Sequence, residues 1–313
     1  MTVAISPGKI ILLGEHGVVY GKPALAMAIS LKVAVDIEIA SQYMVNSHPM
    51  EERKHVYIKR AIDKLWNGSP LSITTFSQIP SASGLGSSAA ITTAMTAALL
   101  AMRNDFSKEN VARHSFEIEY EVQGMASPID TSTCSYGKAI MVWKKEKQGY
   151  IWSMSKNGST WYVYPFDVPD VSIVVGISSI KSKTPKIVKK VSKFVGHSSF
   201  AKDLLNEMET LVTEGVDALK KRDFIKFGEI MDKNHKILYN ILYNIGASSK
   251  EIEKLIMTAR KAGAYGAKIT GAGGGGSIIA IGDEPEKIRE ALKEKGKDAY
   301  IVLPDKDGVK VWK

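Results

Sequence analysis

Apolar and polar residues alternate along the first half of the chain in the way expected of β-strands. In the segment 31–40, apolar side chains occupy every second position, which is the period of a half-buried strand; they are Val33, Val35, Ile37 and Ile39. The segment Val3–Leu13 is more continuously apolar and predicts a buried strand. Further strands are predicted at Leu71–Ile79 and Lys138–Trp143 and within Gly149–Tyr164.

Apolar residues at helical spacing dominate the second half of the chain. They predict helices at Pro185–Val195, Phe200–Lys220, Phe224–Leu242 and Ser248–Ala262. The same spacing predicts three helices in the first half, at His55–Trp66, Ser88–Met102 and Ser107–Val122. Short apolar runs predict strands at Val171–Ile177, Ala267–Thr270, Ser277–Ile281 and Ala299–Leu303. We therefore predict the α+β class, with a boundary near Val168-Pro169-Asp170 that divides the chain into residues 1–168 and 169–313.

The composition limits the class of protein. The 313 residues are 44% hydrophobic and 24% charged, as in ordinary globular proteins. The single cysteine, Cys134, excludes a disulfide framework and a thiolate zinc site. The longest nearly apolar segment, Ala89–Met102, is shorter than the ~20 residues of a membrane-spanning helix, and no signal-peptide apolar region precedes Pro7. We expect a cytoplasmic protein with no membrane partner.

The net charge of +9 is compatible with an anionic ligand, with a nucleic-acid partner, or with a lysine-rich surface that is simply solvated. Six lysines cluster between residues 181 and 193 without interleaved arginine or aromatic residues, which argues against RNA binding. We therefore predict no nucleic-acid partner. Within this cluster, Lys183 is the candidate for attracting an anionic substrate.

One loop between a predicted strand and a predicted helix is rich in glycine and serine. Gly84 and Gly86 let the backbone turn sharply, and Ser87 and Ser88 are expected to cap the helix. The free N–H groups and the positive dipole end of such a helix favour phosphate. The candidate phosphate-binding residues are Pro80, Ser81, Ala82, Ser83, Gly84, Leu85, Gly86, Ser87, Ser88, Ala89 and Ala90.

Two familiar nucleotide motifs do not describe this loop. None of the Gly-Lys pairs in the chain is followed by Ser or Thr, so the P-loop pattern is absent. The residues Gly84, Gly86 and Ala89 match a dinucleotide fingerprint, but no second strand leads to an acidic residue at the required position. A plain turn before a core helix remains the structural alternative.

Three further segments carry candidate chemistry. The segment Pro7–Gly21 places Lys9 at one end of a strand and a Gly14-Glu15-His16-Gly17 turn at the other. The segment Lys268–Ser277 has five glycines in six positions, which a chain tolerates where a ligand approaches the backbone closely, although a flexible hairpin is the alternative. Glu119 lies on a predicted helix, and Asp130 lies in the segment Gly124–Thr133, which we predict to be a loop.

Together these segments resemble the three signature motifs of the GHMP kinase superfamily, in the same order and over nearly the whole chain. Pro7-Gly8-Lys9 resembles the first motif, Pro80–Ser88 the second and Lys268–Gly276 the third. The resemblance implies a two-lobed α+β fold with the active site in the cleft. Its N-terminal lobe would be ribosomal-protein-S5-domain-2-like and its C-terminal lobe ferredoxin-like.

Within the superfamily, the turn Gly14–Gly21 is most similar to the mevalonate kinases, and the block Gln123–Tyr136 to their shorter archaeal forms. The resemblance implies ATP-dependent phosphorylation of mevalonate at its 5-hydroxyl, with Mg²⁺ as cofactor and a homodimer as the assembly. Animal forms have Asn-Pro-Ser-Gly-Val-Asp where this chain has Met125–Asp130, so the aspartate itself is kept.

The resemblance also implies a role for each matching residue. Asp130 would accept the proton and Lys9 would lie beside it; Ser88 and Glu119 would hold Mg²⁺. The loop 80–90 and Gly273 would contact ATP. Mevalonate would be contacted by Glu15, His16, Lys183 and Thr184. A carboxylate is a weak base for an alcohol, so we expect proton transfer to occur late, as the phosphoryl group moves.

Two rival functions remain at this stage. One is a kinase for another small hydroxylated acid, such as phosphomevalonate, or for mevalonate at its 3-hydroxyl; His16 argues against both. The other is a regulator that binds ATP or a sugar without turnover, which an incomplete catalytic set would favour. Here Lys9, Ser88, Glu119 and Asp130 are all present.

Overall fold

The computed structural model describes residues 1–182 and 184–313, apart from the side chains of residues 184 and 185. This part of the chain forms thirteen β-strands and nine α-helices. The strands are β1 (Thr2–Leu13), β2 (Ala24–Ile39), β3 (Met44–Val45), β4 (His48–Pro49), β5 (Leu71–Ser77), β6 (Ala139–Trp143), β7 (Trp152–Lys156), β8 (Ser159–Phe166), β9 (Ile173–Ile177), β10 (Gly266–Thr270), β11 (Ser277–Ile281), β12 (Asp298–Val302) and β13 (Lys310–Trp312). The helices are α1 (Val56–Leu65), α2 (Ser87–Met102), α3 (Lys108–Gln123), α4 (Ile129–Tyr136), α5 (Thr184–His197), α6 (Ser199–Lys220), α7 (Phe224–Asn244), α8 (Lys250–Lys261) and α9 (Pro285–Lys295).

The larger sheet is organised by the long strand β2. One part of β2 pairs with β6 and the other with β5, while β1 runs antiparallel along nearly its whole length. The order β4-β3-β5-β2-β6-β8-β7 continues the sheet on both sides. The register between β1 and β2 shifts at Pro7/Gly8 and again near Leu13. Such irregularities re-aim side chains, and here they flank Lys9.

The smaller sheet is antiparallel and has the order β10-β11-β9-β12. Counted along the chain, its strands lie in the order second, third, first, fourth, with helices α5–α8 after the first strand and α9 before the last. This is the ferredoxin-like arrangement that the resemblance implied. The two sheets are joined by contacts between β1 and β10.

Helix α2 forms the centre of the N-terminal core. Nearly all of its residues from Ala89 to Ala101 are buried, so it shows no polar face. Its alanines allow β1, β2 and the helices α1, α3 and α4 to pack closely around it. In the described part of the chain, no helix combines the length and apolarity needed to cross a membrane.

Five strands and helices differ from the sequence-based expectation. The segment containing Asp130 was predicted to be a loop, but it forms helix α4 from Ile129 onward. Helix α9 and strands β3, β4 and β13 were not predicted at all. The residues Thr131–Ser135 have modest helix propensity, and burial against α2 and α3 overrides it.

The chain returns to the first sheet at its end. Val311 pairs with Ala4, so β13 lies beside β1 in the larger sheet although it follows the whole smaller sheet in sequence. The division into residues 1–168 and 169–313 stays a prediction, and the second of these ranges contributes this one strand to the first sheet.

A close backbone contact fixes helix α7 against β10. A Cβ atom on Gly266 would overlap the carbonyl oxygen of Gly228, and one on Gly228 would lie 2.5 Å from the carbonyl carbon of Tyr265. Both obstacles are backbone atoms, which cannot rotate away. The absence of side chains at these two positions therefore sets the distance between the helix and the strand.

We expect Gly266→Ala to lower the free energy of unfolding by about 1–3 kcal/mol, because overpacking forces the helix off the strand. Gly196→Ala in α5 is the matched control, since a Cβ there meets nothing within 4 Å. It should be neutral or stabilising by up to ~1 kcal/mol. Chemical denaturation measures both changes, and equal stability of the two variants would contradict the packing argument.

Candidate active site

The three glycine-containing motifs meet around one cavity of about 570 Å³ between the two sheets. Its walls come from the end of β1, the loop before α2, the helices α3 and α4, and the turn between β10 and β11. The lining includes Lys9, Glu15, His16, Tyr57, Ser81, Ala82, Ser83, Gly84, Gly86, Ser87, Ser88, Glu119, Gln123, Asp130, Ser182, Gly271 and Ala272.

The loop before α2 is held from behind by β1 and by the third motif. The Lys9 N–H donates to the Leu85 carbonyl at 2.9 Å, and the Ser277 hydroxyl donates to the Ser83 carbonyl at 2.7 Å. Gly86 has φ 79°, and a Cβ there would lie 2.7 Å from Cγ of Lys9. Glycine is therefore required at Gly86 both for its conformation and for the approach of Lys9.

The expectation that Ser87 or Ser88 caps helix α2 is wrong. The capping position is Gly86, no side chain among the described residues makes a cap hydrogen bond, and Ser87 is the first helical residue. The N–H groups of the first turn consequently have no capping side chain and remain available beside the cavity. The Ser88 side chain instead turns toward helix α3.

Lys9 and Asp130 form an ion pair at the floor of the cavity. The distance from Lys9 Nζ to Asp130 Oδ2 is 3.0 Å, and the lysine side chain is 4% exposed. Asp130 lies in the first turn of α4, where the helix dipole favours a carboxylate. Its other oxygen, Oδ1, is buried and has no hydrogen-bond partner among the described residues. The Asp130 side chain as a whole is 29% exposed and lines the cavity, so a bound molecule can reach its carboxylate.

Glu119 lies on α3, facing the start of α2. Its Oε1 atom accepts hydrogen bonds from the Ser88 hydroxyl and from the Gln123 amide, each at 3.2 Å. Burial, and secondly the charge of Asp130, raises the pKa of Glu119 to about 8, while Lys9 opposes this shift. The positive charge near this buried carboxyl group is therefore too small to keep its pKa at the ordinary value.

The donor set around Ser88 and Glu119 fits a hard divalent cation. It consists of a hydroxyl and a carboxylate oxygen, and the described residues contain no group of three or more acidic, histidine or cysteine side chains that could hold a metal alone. Mg²⁺ is usually bound by one or two protein oxygens together with substrate phosphates. The cavity therefore suits a cation that arrives with a phosphate ligand.

Glu15 forms a fully buried ion pair with Lys268 across the junction of the two sheets. The Lys268 ammonium also donates to the carbonyl oxygens of Ile11 at 3.5 Å and Ile269 at 2.6 Å, and burial lowers its pKa. The Asn234 amide donates to the second oxygen of Glu15 at 3.2 Å and accepts from the Gly14 N–H at 3.0 Å. Every donor of the ammonium thus has an acceptor.

His16 follows Glu15 with φ 61° and borders the cavity. Its Nε2 lies 2.9 Å from the carbonyl oxygen of Ala272. Because a carbonyl only accepts, Nε2 carries the proton. Burial lowers the pKa of His16, which favours the neutral ring. Nδ1 is then an acceptor, so His16 can receive a hydrogen bond from a ligand hydroxyl.

Several predicted site residues do not line the cavity. They are Pro80, Leu85, Ala89, Ala90 and Gly273. A Cβ on Gly273 would lie 2.5 Å from Leu242 Cδ1, so packing alone accounts for this glycine. Lys183 lies outside the described residues, as does the side chain of Thr184. The roles assigned to all of these residues stay predictions.

The structure also places in the site residues that the sequence analysis did not single out for a role. Tyr57, Gln123 and Ser182 line the cavity, and Lys268 and Asn234 support it from behind. The sequence could have indicated Gln123, because it lies one helical turn after Glu119. It could not have indicated Tyr57, because no spacing or residue pattern relates helix α1 to the three motifs.

We expect Lys268→Met to lower the free energy of unfolding by about 3–5 kcal/mol, because it leaves the Glu15 carboxylate buried without its partner. The double variant Lys268→Met/Glu15→Gln should recover a large part of this loss. Denaturant unfolding of the single and double variants measures these effects, and additive losses would contradict the coupling.

The comparisons with known proteins agree with this geometry. Residues 56–138 match the family model for the GHMP kinases N terminal domain, and residues 216–298 match that for GHMP kinases C terminal. A mevalonate kinase from Methanothermobacter thermautotrophicus is 33% identical over 288 residues, covering 88% of this chain and 89% of the relative. One from Pyrococcus abyssi is 31% identical, covering 99% of this chain and 98% of the relative.

Solved structures give the same result. L. major mevalonate kinase in complex with R-mevalonate superposes with a TM-score of 0.78 at 26% identity, covering 96% of this chain and 94% of that chain. The Methanococcus jannaschii mevalonate kinase superposes with a TM-score of 0.73 at 27% identity, covering 96% and 98%. The predicted GHMP kinase fold is confirmed, and the chain belongs to the mevalonate kinase family of GHMP kinases.

Proposed function

We propose that this protein transfers the γ-phosphoryl group of ATP to the 5-hydroxyl of (R)-mevalonate, giving 5-phosphomevalonate and ADP in the mevalonate route to isoprenoids. The observation that carries the proposal is the Lys9–Asp130 pair. Asp130, whose side chain is 29% exposed, lines the same cavity as the uncapped start of α2. A proton acceptor and a phosphate-binding loop therefore line the same cavity in a chain that belongs to this family.

The nucleotide phosphates would lie against the loop 81–88. Gly84 and Gly86 have positive φ, so the backbone can follow a phosphate closely without side-chain obstruction. The N–H groups of Ser87 and Ser88 add the positive end of the α2 dipole. Ser88 and Glu119 would hold Mg²⁺, which neutralises charge between the phosphates when it is bound. A cation–phosphate complex also compensates the buried charge of Glu119.

The acceptor hydroxyl would lie beside Asp130. As its oxygen forms a bond to the γ-phosphorus, the bond from that phosphorus to the β-phosphate oxygen breaks, and the Asp130 carboxylate takes the hydroxyl proton. Lys9 is paired with Asp130 and would stabilise both the aspartate charge before transfer and the negative charge of the transferring group. Most of the catalysis comes from positioning and charge, as in other phosphoryl transfers.

Mevalonate would extend from Asp130 toward the turn that carries His16. The Nδ1 acceptor of His16 suits a hydroxyl of the substrate. Both oxygens of Glu15 already accept bonds from Lys268 and Asn234, so Glu15 contributes by holding this turn. The substrate contacts of Lys183 and Thr184, the homodimer and the cytoplasmic location stay predictions.

The reaction is tested by ADP release with Mg·ATP and mevalonate, with phosphomevalonate and homoserine in parallel. Turnover with mevalonate alone, and phosphate found on the 5-oxygen by NMR, is the expected result. Turnover only with another acceptor would overturn the substrate assignment while keeping the kinase. ATP binding without turnover on any acceptor would favour a regulator.

Asp130→Asn should lower kcat by about 10²–10⁴-fold, because a carboxamide is a much weaker base than a carboxylate and does not take up the hydroxyl proton. The affinity for the nucleotide should change little, since the loop 81–88 is untouched. Asp105→Asn, an exposed change at the start of the loop before α3, is the control and should keep full activity. Steady-state kinetics with nucleotide titration separates the two quantities, and full turnover by Asp130→Asn would remove Asp130 from its role.

A further inference from the structure

Two polar side chains in the cavity have no part in the proposed chemistry, yet they contact its metal-binding side. Gln123 is the last residue of α3, and Tyr57 is the second residue of α1. The Gln123 amide nitrogen lies 3.2 Å from Glu119 Oε1 and 3.3 Å from the Tyr57 hydroxyl oxygen. One amide group therefore joins three helices at the site, because Glu119 in turn bonds Ser88 at the start of α2.

The direction of these hydrogen bonds follows from their chemistry. The Gln123 side-chain nitrogen, an NH₂ group that only donates, faces Glu119 Oε1. That group has two hydrogens, and the second reaches the Tyr57 hydroxyl. Tyr57 thereby fixes the rotation of the amide, and the amide fixes the carboxylate. The Ser88 hydroxyl donates to the same Oε1 atom from the opposite helix.

Both donors occupy one oxygen of Glu119 and leave the other available. Oε2 accepts no hydrogen bond within the described residues, whereas Oε1 accepts two. A glutamate side chain with unrestrained torsions would not keep both hydrogen bonds on the same oxygen.

We propose that Gln123 and Tyr57 are positioning residues that hold Glu119 and Ser88 in the orientation in which both can bind the metal of the metal–nucleotide complex. The proposal rests on the proposed function, since it assigns a metal–nucleotide ligand to this cavity. Partners in the outer shell of a metal site orient its ligands, and their loss typically costs 10–100-fold in metal affinity or activity. Neither residue needs to touch the nucleotide for this effect.

The test measures how far Mg²⁺ tightens the binding of a non-hydrolysable ATP analogue, by calorimetry with Mg²⁺ and with a chelator. Gln123→Met removes the amide at similar length, and Tyr57→Phe removes one oxygen atom. We expect the metal-dependent gain in affinity to fall about ten-fold or more in Gln123→Met and by a smaller factor in Tyr57→Phe. Binding without metal should change less than about two-fold, and kcat should recover at high Mg²⁺.

Two changes outside the cavity serve as matched controls. Tyr120→Phe removes a hydroxyl on the same helix as Gln123, where it accepts a hydrogen bond from Asn157. Gln148→Met removes an amide from an exposed turn. Both should keep the metal-dependent gain of the wild type. Thermal melting of the metal-free proteins verifies that Tyr57→Phe and Gln123→Met remain folded.

The outcomes separate this inference from the proposed function. Wild-type protein that binds the analogue equally well with and without Mg²⁺ would overturn the metal site itself. A wild type with a clear metal-dependent gain, and variants that keep it in full, would overturn only the positioning role. Equal weakening with and without metal would show that Gln123 and Tyr57 shape the cavity rather than orient the metal ligands, and would also overturn it.

Discussion

The buried ion pair between Lys268 and Glu15 is the interaction on which the rest of the site depends. It joins β10 in the smaller sheet to the turn after β1 in the larger sheet, where both side chains are almost fully excluded from solvent. Burying two charges is unfavourable unless each is paired and hydrogen-bonded, and the carbonyl oxygens of Ile11 and Ile269 with the Asn234 amide complete both shells. The pair therefore fixes one relative position of the two sheets, because any other would leave a buried charge unsatisfied.

The cavity is a consequence of that position. With β10 held against β1, the Thr270 hydroxyl bonds the backbone of Ile11, and the following turn lies against the loop before α2. Gly84 and Gly86 permit this approach, since side chains there would meet Thr270 and Lys9. The three glycine-containing motifs are thus parts of one packed arrangement. The close contact of Gly228 with Gly266 holds helix α7 against β10 in the same way. Helix α7 carries Asn234, which thereby reaches Glu15.

The sequence revealed those parts of the site that are local. The loop 80–90 could be predicted because glycine, serine and a following helix occur together within one segment. The pairing of Lys9 with Asp130 spans 121 positions, and only the resemblance to a family suggested it. Helix α4 could not be predicted, since its short polar residues are helical through burial. Strand β13 has three residues, too few for a period to be detected, and its pairing with β1 is a tertiary effect.

The charges of the cavity explain why the two carboxylates behave differently. Lys9 contacts Asp130 directly, so this carboxylate has its counter-charge within the protein. Glu119 is buried, repelled by Asp130 and only partly compensated by Lys9, which raises its pKa to about 8. One lysine cannot serve both groups, and neutral donors from Ser88 and Gln123 orient Glu119 without neutralising it. Under the proposed function, a nucleotide that brings its own cation would supply the missing positive charge and favour the ionised form of Glu119, so the chain would couple recognition of phosphate to recognition of the metal.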